Sequence, residues 1–479
     1  MGRLVSHPLR RVKGVESAAP LEPRRRPLHS LPKASADSTS EPMKSLFPQL
    51  EAAPRGLPPA RVAEHQKRRI EGAMVEAVAR HGFAGTTLSE LVGLAGVSKT
   101  TFYEHFNNKL DCFLATFDEI VRAMAIRVEE VYRLPGDSRA RLLRALSAFM
   151  DLVVDEPAAA SLTTVESLTL GAAGVERREQ GARVFERMVR QSLDHSPSPV
   201  EISDTVARAI VAGIRGVVYR HLRDNETAAL PDSVGLLVDW AVSYQHEPGE
   251  AGRRAIEAAR QAPTCQPEHE ARENSEGTLP WEEPADSPRS RAQLTQRERM
   301  VRGAAQVVVA RGYEALSIPA ISAAAGTSNQ TFYEHFDSKR DAFLAAFEVA
   351  AADALRVAGG AFLAEGDRPE ALGAAIRALL EYFAERDLFS RLVFFELPSA
   401  GPLALDRADR AMDDFTRFLK PGVAPAALGG PLPRQVLPAI GSGIWAAIQH
   451  EIAQGRRLSL PQLAPEITQL AVGPFNRGG

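Results

Sequence analysis

The sequence predicts an all-α fold made of two tandem copies of one helical unit. Three observations carry that prediction: an internal repeat at one constant offset, apolar residues recurring at helical spacing, and capping residues or glycines where those stripes break. The pentapeptide Phe-Tyr-Glu-His-Phe stands at Phe102–Phe106 and returns 230 residues later at Phe332–Phe336. Gly82, Gly96, Ser98, Thr101 and Lys109 keep that offset to Gly312, Gly326, Ser328, Thr331 and Lys339. Far downstream, Glu166 and Arg177 keep it to Glu396 and Arg407, and Gly213 keeps it to Gly443. One offset held over so long a stretch marks a duplicated domain pair rather than a short stacking module.

The elements follow in order. Residues 1–60 are Pro-rich, with ten Lys and Arg against five Asp and Glu, and are expected to form a disordered basic tail, solvated or resting on DNA phosphates. From Gln66 to Arg80 the residues Ile70, Met74, Ala77 and Val78 make a helical stripe that stops at Gly82. Thr87-Leu88-Ser89-Glu90 has the capping-box pattern and opens a short second helix. Gly96 supplies a tight corner, Ser98 caps a third helix over Lys99 to His105, and Asn107, Asp337 in the second copy, caps a fourth. Helix, short helix, glycine turn and short helix is the helix-turn-helix arrangement.

Further helices are expected at Asp137–Glu156, Pro157–Leu170, Glu176–Asp194, Glu201–Arg223 and Asp232–Tyr244, with the scheme repeated from Arg368 to about Val472. The stretch 247–290, rich in Pro, Glu, Arg and Ser, reads as a flexible linker in which Arg253–Arg260 could continue the preceding helix. The expected boundaries are thus heads at 61–117 and 291–347, and helical domains at 118–246 and 348–479.

Composition excludes several functions. A net charge of −3 gives no support for a globally basic nucleic-acid binder, so any DNA-facing charge must be local. Two cysteines in unrelated contexts, Cys112 and Cys265, suggest neither a disulfide framework nor a metal site. The first thirty residues lack the apolar stretch of a secretory signal and no run is long enough to span a membrane, so a cytoplasmic protein is expected. No phosphate-binding glycine loop, His-Glu-x-x-His or Gly-x-Ser-x-Gly occurs, so neither enzyme activity nor a cofactor is expected.

The string from Gly96 to Phe106, followed by Lys109 and Phe113-Leu114, resembles the DNA-binding segment of TetR/AcrR regulators. The string from Gly326 to Phe336, followed by Lys339 and Phe343-Leu344, resembles it equally. The resemblance implies double-stranded DNA as partner, a small-molecule effector held by the middle helices, and a four-helix interface. That interface would pair Thr205–His221 and Ser233–Tyr244 with Pro438–Ile452 and Pro465–Ala471, as an intramolecular pseudo-dimer or between chains. Gly213, Gly216, Gly441 and Gly443 would let its helices approach closely.

Phe102 and Phe106 fall on one side of the third helix and are expected to anchor it. Lys99, Thr100 and Thr101 then face bases, and Tyr103 faces phosphate; His105 is either a phosphate contact or structural. Thr87 offers phosphate contacts at the second helix. Lys109 stands where the helix dipole disfavours a cation, which a phosphate would reverse. The second head repeats the set as Ser317, Asn329, Gln330, Thr331, Tyr333, His335 and Lys339. Lys99-Thr100 against Asn329-Gln330 changes the favoured base from guanine to adenine, so an imperfectly palindromic operator is expected. Phe149, Glu166, Phe394, Phe395 and Glu396 are candidate pocket residues; the alternative for the two glutamates is a buried pair with Arg177 and Arg407.

Overall fold

The computed structural model describes residues 58–194, 202–261, 295–366, 368–419 and 436–475. The expected tail falls outside these residues apart from its last three positions, as does the linker beyond Gln261. Every regular element among the described residues is helical. In the first half α1 (Pro59–Gly85), α2 (Leu88–Ala95) and α3 (Lys99–His105) form the head. They are followed by α4 (Lys109–Tyr132), α5 (Ser138–Asp155), α6 (Pro157–Thr164), α7 (Gly171–Asp194), α8 (Asp204–Asp224) and α9 (Val234–Ser243).

After α10 (Glu250–Arg260) the second half begins with its head, α11 (Gln296–Arg311), α12 (Ile318–Ala325) and α13 (Asn329–Tyr333). Then come α14 (Lys339–Glu365), α15 (Glu370–Glu385), α16 (Asp387–Arg391), α17 (Pro402–Phe415), α18 (Val436–Ala453) and α19 (Ala464–Val472).

Local chemistry sets the boundaries. Thr87 accepts the Glu90 amide at 3.2 Å and Ser98 accepts the Thr101 amide at 3.0 Å, as capping predicts. Only half of the expected box forms in the first head, because the Glu90 carboxylate turns to His81 at 3.0 Å. The cap of α4 is Asn108 rather than Asn107: Asp111 donates to Asn108 Oδ1 at 2.9 Å, while the Asn107 amide donates to the Asp111 carboxylate. Ser338 does the same for α14, in place of Asp337. Gly96 and Gly326 close α2 and α12 at φ 60° and 64°, left-handed values that favour glycine.

The two halves meet along α8 and α18, with α9 and α19 beside them. Glycine makes the approach possible: a Cβ on Gly213 would lie 2.5 Å from the Ala439 carbonyl, and one on Gly443 would lie 2.7 Å from the Ala209 carbonyl. These contacts are related by the 230-residue offset and so describe a pseudo-two-fold axis between the copies. Gly216 also faces the other half, at Ser442. Gly441 does not; it makes room for Met412 and Thr416 of its own half. Tyr244 adds a polar tie, donating to the Leu470 carbonyl at 2.8 Å and accepting from Trp240 Nε1 at 2.9 Å.

Ion pairs across this interface are not symmetric. Arg223 pairs with Asp406 and, at 3.0 Å, with Asp409, and Arg220 pairs with Asp413 at 2.7 Å. On the opposite side of the axis the equivalents of Arg220 and Arg223 are His450 and Ala453, and His450 meets Glu179 at 3.1 Å.

One expectation is overturned. Glu250–Arg260 is not flexible linker and does not continue α9; it is a separate helix packed on α15 and α19 of the second half. Gly252, Ala255 and Ala259 form its buried stripe, the Ala255 carbonyl lies against Gly373, and Arg377 donates to the Ala259 carbonyl at 3.0 Å. Arg254 pairs with Glu370 at 2.7 Å. The first half therefore straps itself to the second before the chain crosses over.

Candidate DNA-binding heads and ligand cavity

Each head is built to present one short helix. Phe102 and Phe332 are wholly buried, Phe106 and Phe336 nearly so, and within each pair the ring centroids are 5.7 Å apart. They fasten α3 and α13 to the helices beneath, which leaves Lys99, Thr100, Tyr103, Asn329, Gln330 and Tyr333 exposed. Tyr103 and Tyr333 are 58% and 61% exposed, far more than aromatic rings of structural value need be. Thr101 and Thr331 are half-buried, each with its hydroxyl 3.0 and 2.9 Å from its capping serine, so readout by either falls on its methyl group. Thr87 and Ser317 are exposed at the starts of α2 and α12, with their side-chain oxygens already used as caps.

The two heads are not identical. α3 runs through His105, whereas α13 stops at Tyr333, and His335 lies past its end. His335 Nε2 faces Gln296 at 3.4 Å on α11, while His105 Nε2 is buried without a partner. That geometry favours the structural reading of His105.

Lys109 and Lys339 need a correction of their physical reason. Lys109 Nζ donates to the carbonyls of Phe83 at 2.7 Å and Thr86 at 2.9 Å and sits 4.3 Å from the centre of the Phe83 ring. Lys339 donates to the Leu316 carbonyl at 2.8 Å and lies 5.1 Å from the Tyr313 ring. Carbonyls at the end of α1, and in the connection between α11 and α12, thus offset the unfavourable dipole without a phosphate. Two of the three Lys109 N–H donors are used within the protein.

The glutamates are also not where the pocket reading put them. Glu166 Oε2 accepts the Phe83 amide at 2.9 Å and Glu396 Oε2 accepts the Tyr313 amide at 3.1 Å. Arg177 and Arg407 pair instead with Asp118 and Glu348. The Phe83 residue is therefore held on both sides, its N–H by the helical domain and its carbonyl by α4. It follows Gly82, whose φ of 68° breaks α1 there. Burial pushes the Glu166 and Glu396 carboxyls above their ordinary range, against the stabilising amide. These contacts fasten each head to its own domain.

The first domain encloses a cavity of about 130 Å³, lined by Phe117, Met124, Phe149, Phe185, Arg178 and Arg215 among others. In the second domain the corresponding space is divided into a void of about 60 Å³ beside Phe383, Phe394 and Trp445 and one of about 20 Å³ beside Leu372 and Phe418. Phe149 and Phe394 line cavities, whereas Phe395 packs beside the core and Glu166 and Glu396 contact the heads. Sequence reading passed over Arg178 and Arg215. Their signal was a break in the repeat, since the offset places Ala408 and Trp445 in the second copy.

Two helix-turn-helix heads, each fastened to a helical domain and joined through a pseudo-two-fold interface, define the class. Residues 72–116 and 301–346 match the family described as bacterial regulatory proteins, tetR family. Each head thus carries a segment that matches the tetR family. The chain is similar to the HTH-type transcriptional activator FasR of Mycolicibacterium smegmatis, 35% identical over 72 residues, which is 15% of this chain and 33% of that protein. It is also similar to the fatty acid metabolism regulator protein of Bacillus subtilis, 28% identical over 112 residues, 23% of this chain and 56% of the relative. The chain therefore spans a third to about half the length of these curated relatives. A crystal structure of the Bacillus subtilis regulator FadR in complex with stearoyl-CoA aligns at 19% identity, over 37% of this chain and 98% of that one, with a TM-score of 0.34. FadR from Bacillus halodurans aligns at 18% identity over 36% and 94%, also at a TM-score of 0.34.

Proposed function

We propose that this chain is a sequence-specific DNA-binding transcription regulator that carries both heads of a dimer in one polypeptide and represses until a small-molecule effector releases it. The observation that carries the reading is the pair of exposed helix starts, Lys99-Thr100 and Asn329-Gln330, held out by buried phenylalanines on heads of one family. An N-terminal recognition helix of this kind enters the major groove, where lysine favours guanine and Asn or Gln favours adenine. Selection of bound duplexes from a random pool is expected to return two unlike half-sites, and a perfectly symmetric consensus would overturn the asymmetry. Binding should weaken steeply between two salt concentrations, because phosphate contacts release counterions.

The working unit is a single chain. Pairing first halves with one another would set Arg220 against Arg183, the equivalent of Asp413, so the ion pairs favour the unlike halves. Light scattering should return the 51.9 kDa chain mass, and twice that mass would indicate a four-headed dimer. The cavity of the first domain is the effector site, and the names of the relatives point to an effector from fatty acid metabolism.

A further inference from the structure

We propose that the chain takes one amphiphile with an anionic head group, in the first cavity only, with Arg178 and Arg215 holding the anion, and that the smaller, divided space of the second domain takes none. The inference rests on the effector reading and adds the ligand's charge and its stoichiometry.

Both arginines are half-buried on a wall that is otherwise almost entirely apolar. Arg178 Nε is buried without a hydrogen-bond partner, and neither guanidinium joins an ion pair among the described residues. Burial, reinforced by the Arg215 charge, holds Arg178 well below the usual arginine range. Burial lowers Arg215 as well, against the attraction of Glu186 and Glu179. Glu179 is spent on His450, and Glu186 makes no contact with either arginine close enough to form an ion pair.

Two desolvated cations without a direct ion-pair partner are costly, and an anion between them offsets that cost through forked, charge-assisted hydrogen bonds. The apolar remainder of the wall then suits a hydrocarbon tail. At about 130 Å³ the empty cavity is close to the volume that holds one benzene ring. A longer tail must displace side chains, and that displacement supplies the differential binding that a conformational shift requires.

The second copy keeps an apolar wall but lacks both arginines and has less open space. Ala408 replaces Arg178 and Trp445 replaces Arg215, while Phe383, Phe394 and Met412 stand where the first copy has Val153, Thr164 and Ala182. Trp445 packs 4.4 Å from Phe394, itself 5.1 Å from Phe383, so aromatic rings occupy the space the first copy leaves open.

Calorimetric titration of the full chain with dodecanoate, dodecyl phosphate and dodecanol below their aggregation concentrations tests this. One equivalent is expected, with one anion at least ~10-fold tighter than the alcohol; the tighter anion identifies the head group. Arg215→Lys should keep binding, and Arg215→Trp, the second copy's residue, should abolish it with the melting temperature preserved. If that variant does not fold, Arg178→Ala carries the same expectation. Two equivalents, equal affinity for the alcohol, no binding of either anion, or undiminished binding by Arg215→Trp and Arg178→Ala would each overturn the proposal. Binding as described without any effect on DNA affinity would instead refute the regulator reading and leave the site intact.

Discussion

Glu71 is 2% exposed within the first head, and burial pushes its carboxyl from 4.5 up to about 7 despite Lys67 at 3.7 Å. The second head has Val301 at this position, also buried, so a hydrophobic side chain fits the same packing. The sign follows from linkage. An acid whose folded pKa is raised binds more protons folded than unfolded, so the head loses stability as pH rises from the unfolded value towards about 7. At 1.36 kcal/mol for each pH unit, the penalty grows by about 2.5 kcal/mol between pH 5 and pH 8. Glu71→Val removes it. Any cavity the smaller side chain leaves costs the same at both pH values and cancels in the comparison. Hydrogen exchange of the α1 amides in the full chain reads the opening free energy of the head. Relative to wild type, the variant should gain ~70-fold more protection at pH 8 than at pH 5. A ratio that does not change with pH would refute the raised pKa.

Gly213→Val should weaken the joint between the halves, since its Cβ would fall 2.5 Å from the Ala439 carbonyl. Overpacking of this kind costs about 1–3 kcal/mol, to be read as a lower calorimetric melting temperature. Glu166→Ala leaves the Phe83 amide without its acceptor, at a cost of about 1–3 kcal/mol. Faster exchange around residues 82–86 and a smaller effector response in a DNA-binding assay are expected, with intact protection there counting against the fastening role. Gly373→Leu should release α10, whose Ala255 carbonyl occupies that space, and protease cleavage within 250–260 would report it.

The fold was legible because its signals are local and occur twice. Capping residues, left-handed glycines and the Phe102–Phe106 spacing placed α2 and α3 closely, whereas α1 begins at Pro59, well before the expected Gln66. The cap of α4 slipped by one position because Asn107 and Asn108 are equally good candidates: the Asn108 side chain accepts the Asp111 amide, while Asn107 donates to the Asp111 carboxylate. α10 was anticipated only as a continuation of the preceding helix, and its packing on the second half was missed for a different reason. Its buried stripe is glycine and alanine, so it packs by close backbone approach, and hydrophobicity does not mark such a face. The glutamate contacts span 83 residues and leave no local trace, although the kept offset singled out the pair. Arg178 and Arg215 were invisible to a search for shared residues because they are where the copies differ.

Kept and changed positions divide by what each has to do. Those that hold the architecture are kept in both copies: Gly213 and Gly443 at the joint, Glu166 and Glu396 at the heads, Lys109 and Lys339 on the carbonyls. Those that have diverged lie at the exposed starts of α3 and α13, on the cavity wall or among the interface charges: Lys99-Thr100 against Asn329-Gln330, Arg178 and Arg215 against Ala408 and Trp445, Arg220 and Arg223 against His450 and Ala453. In a homodimer each substitution appears on both sides of the axis, so no site can specialise without its twin changing too. A covalent tandem lifts that constraint, and the tether also supplies the partner at high effective concentration. The unlike halves can then be selected for each other, as the Arg223 pairs to Asp406 and Asp409 are. The asymmetric reading and asymmetric sensing proposed above would thus be consequences of one covalent change, with the shared packing as the frame for both.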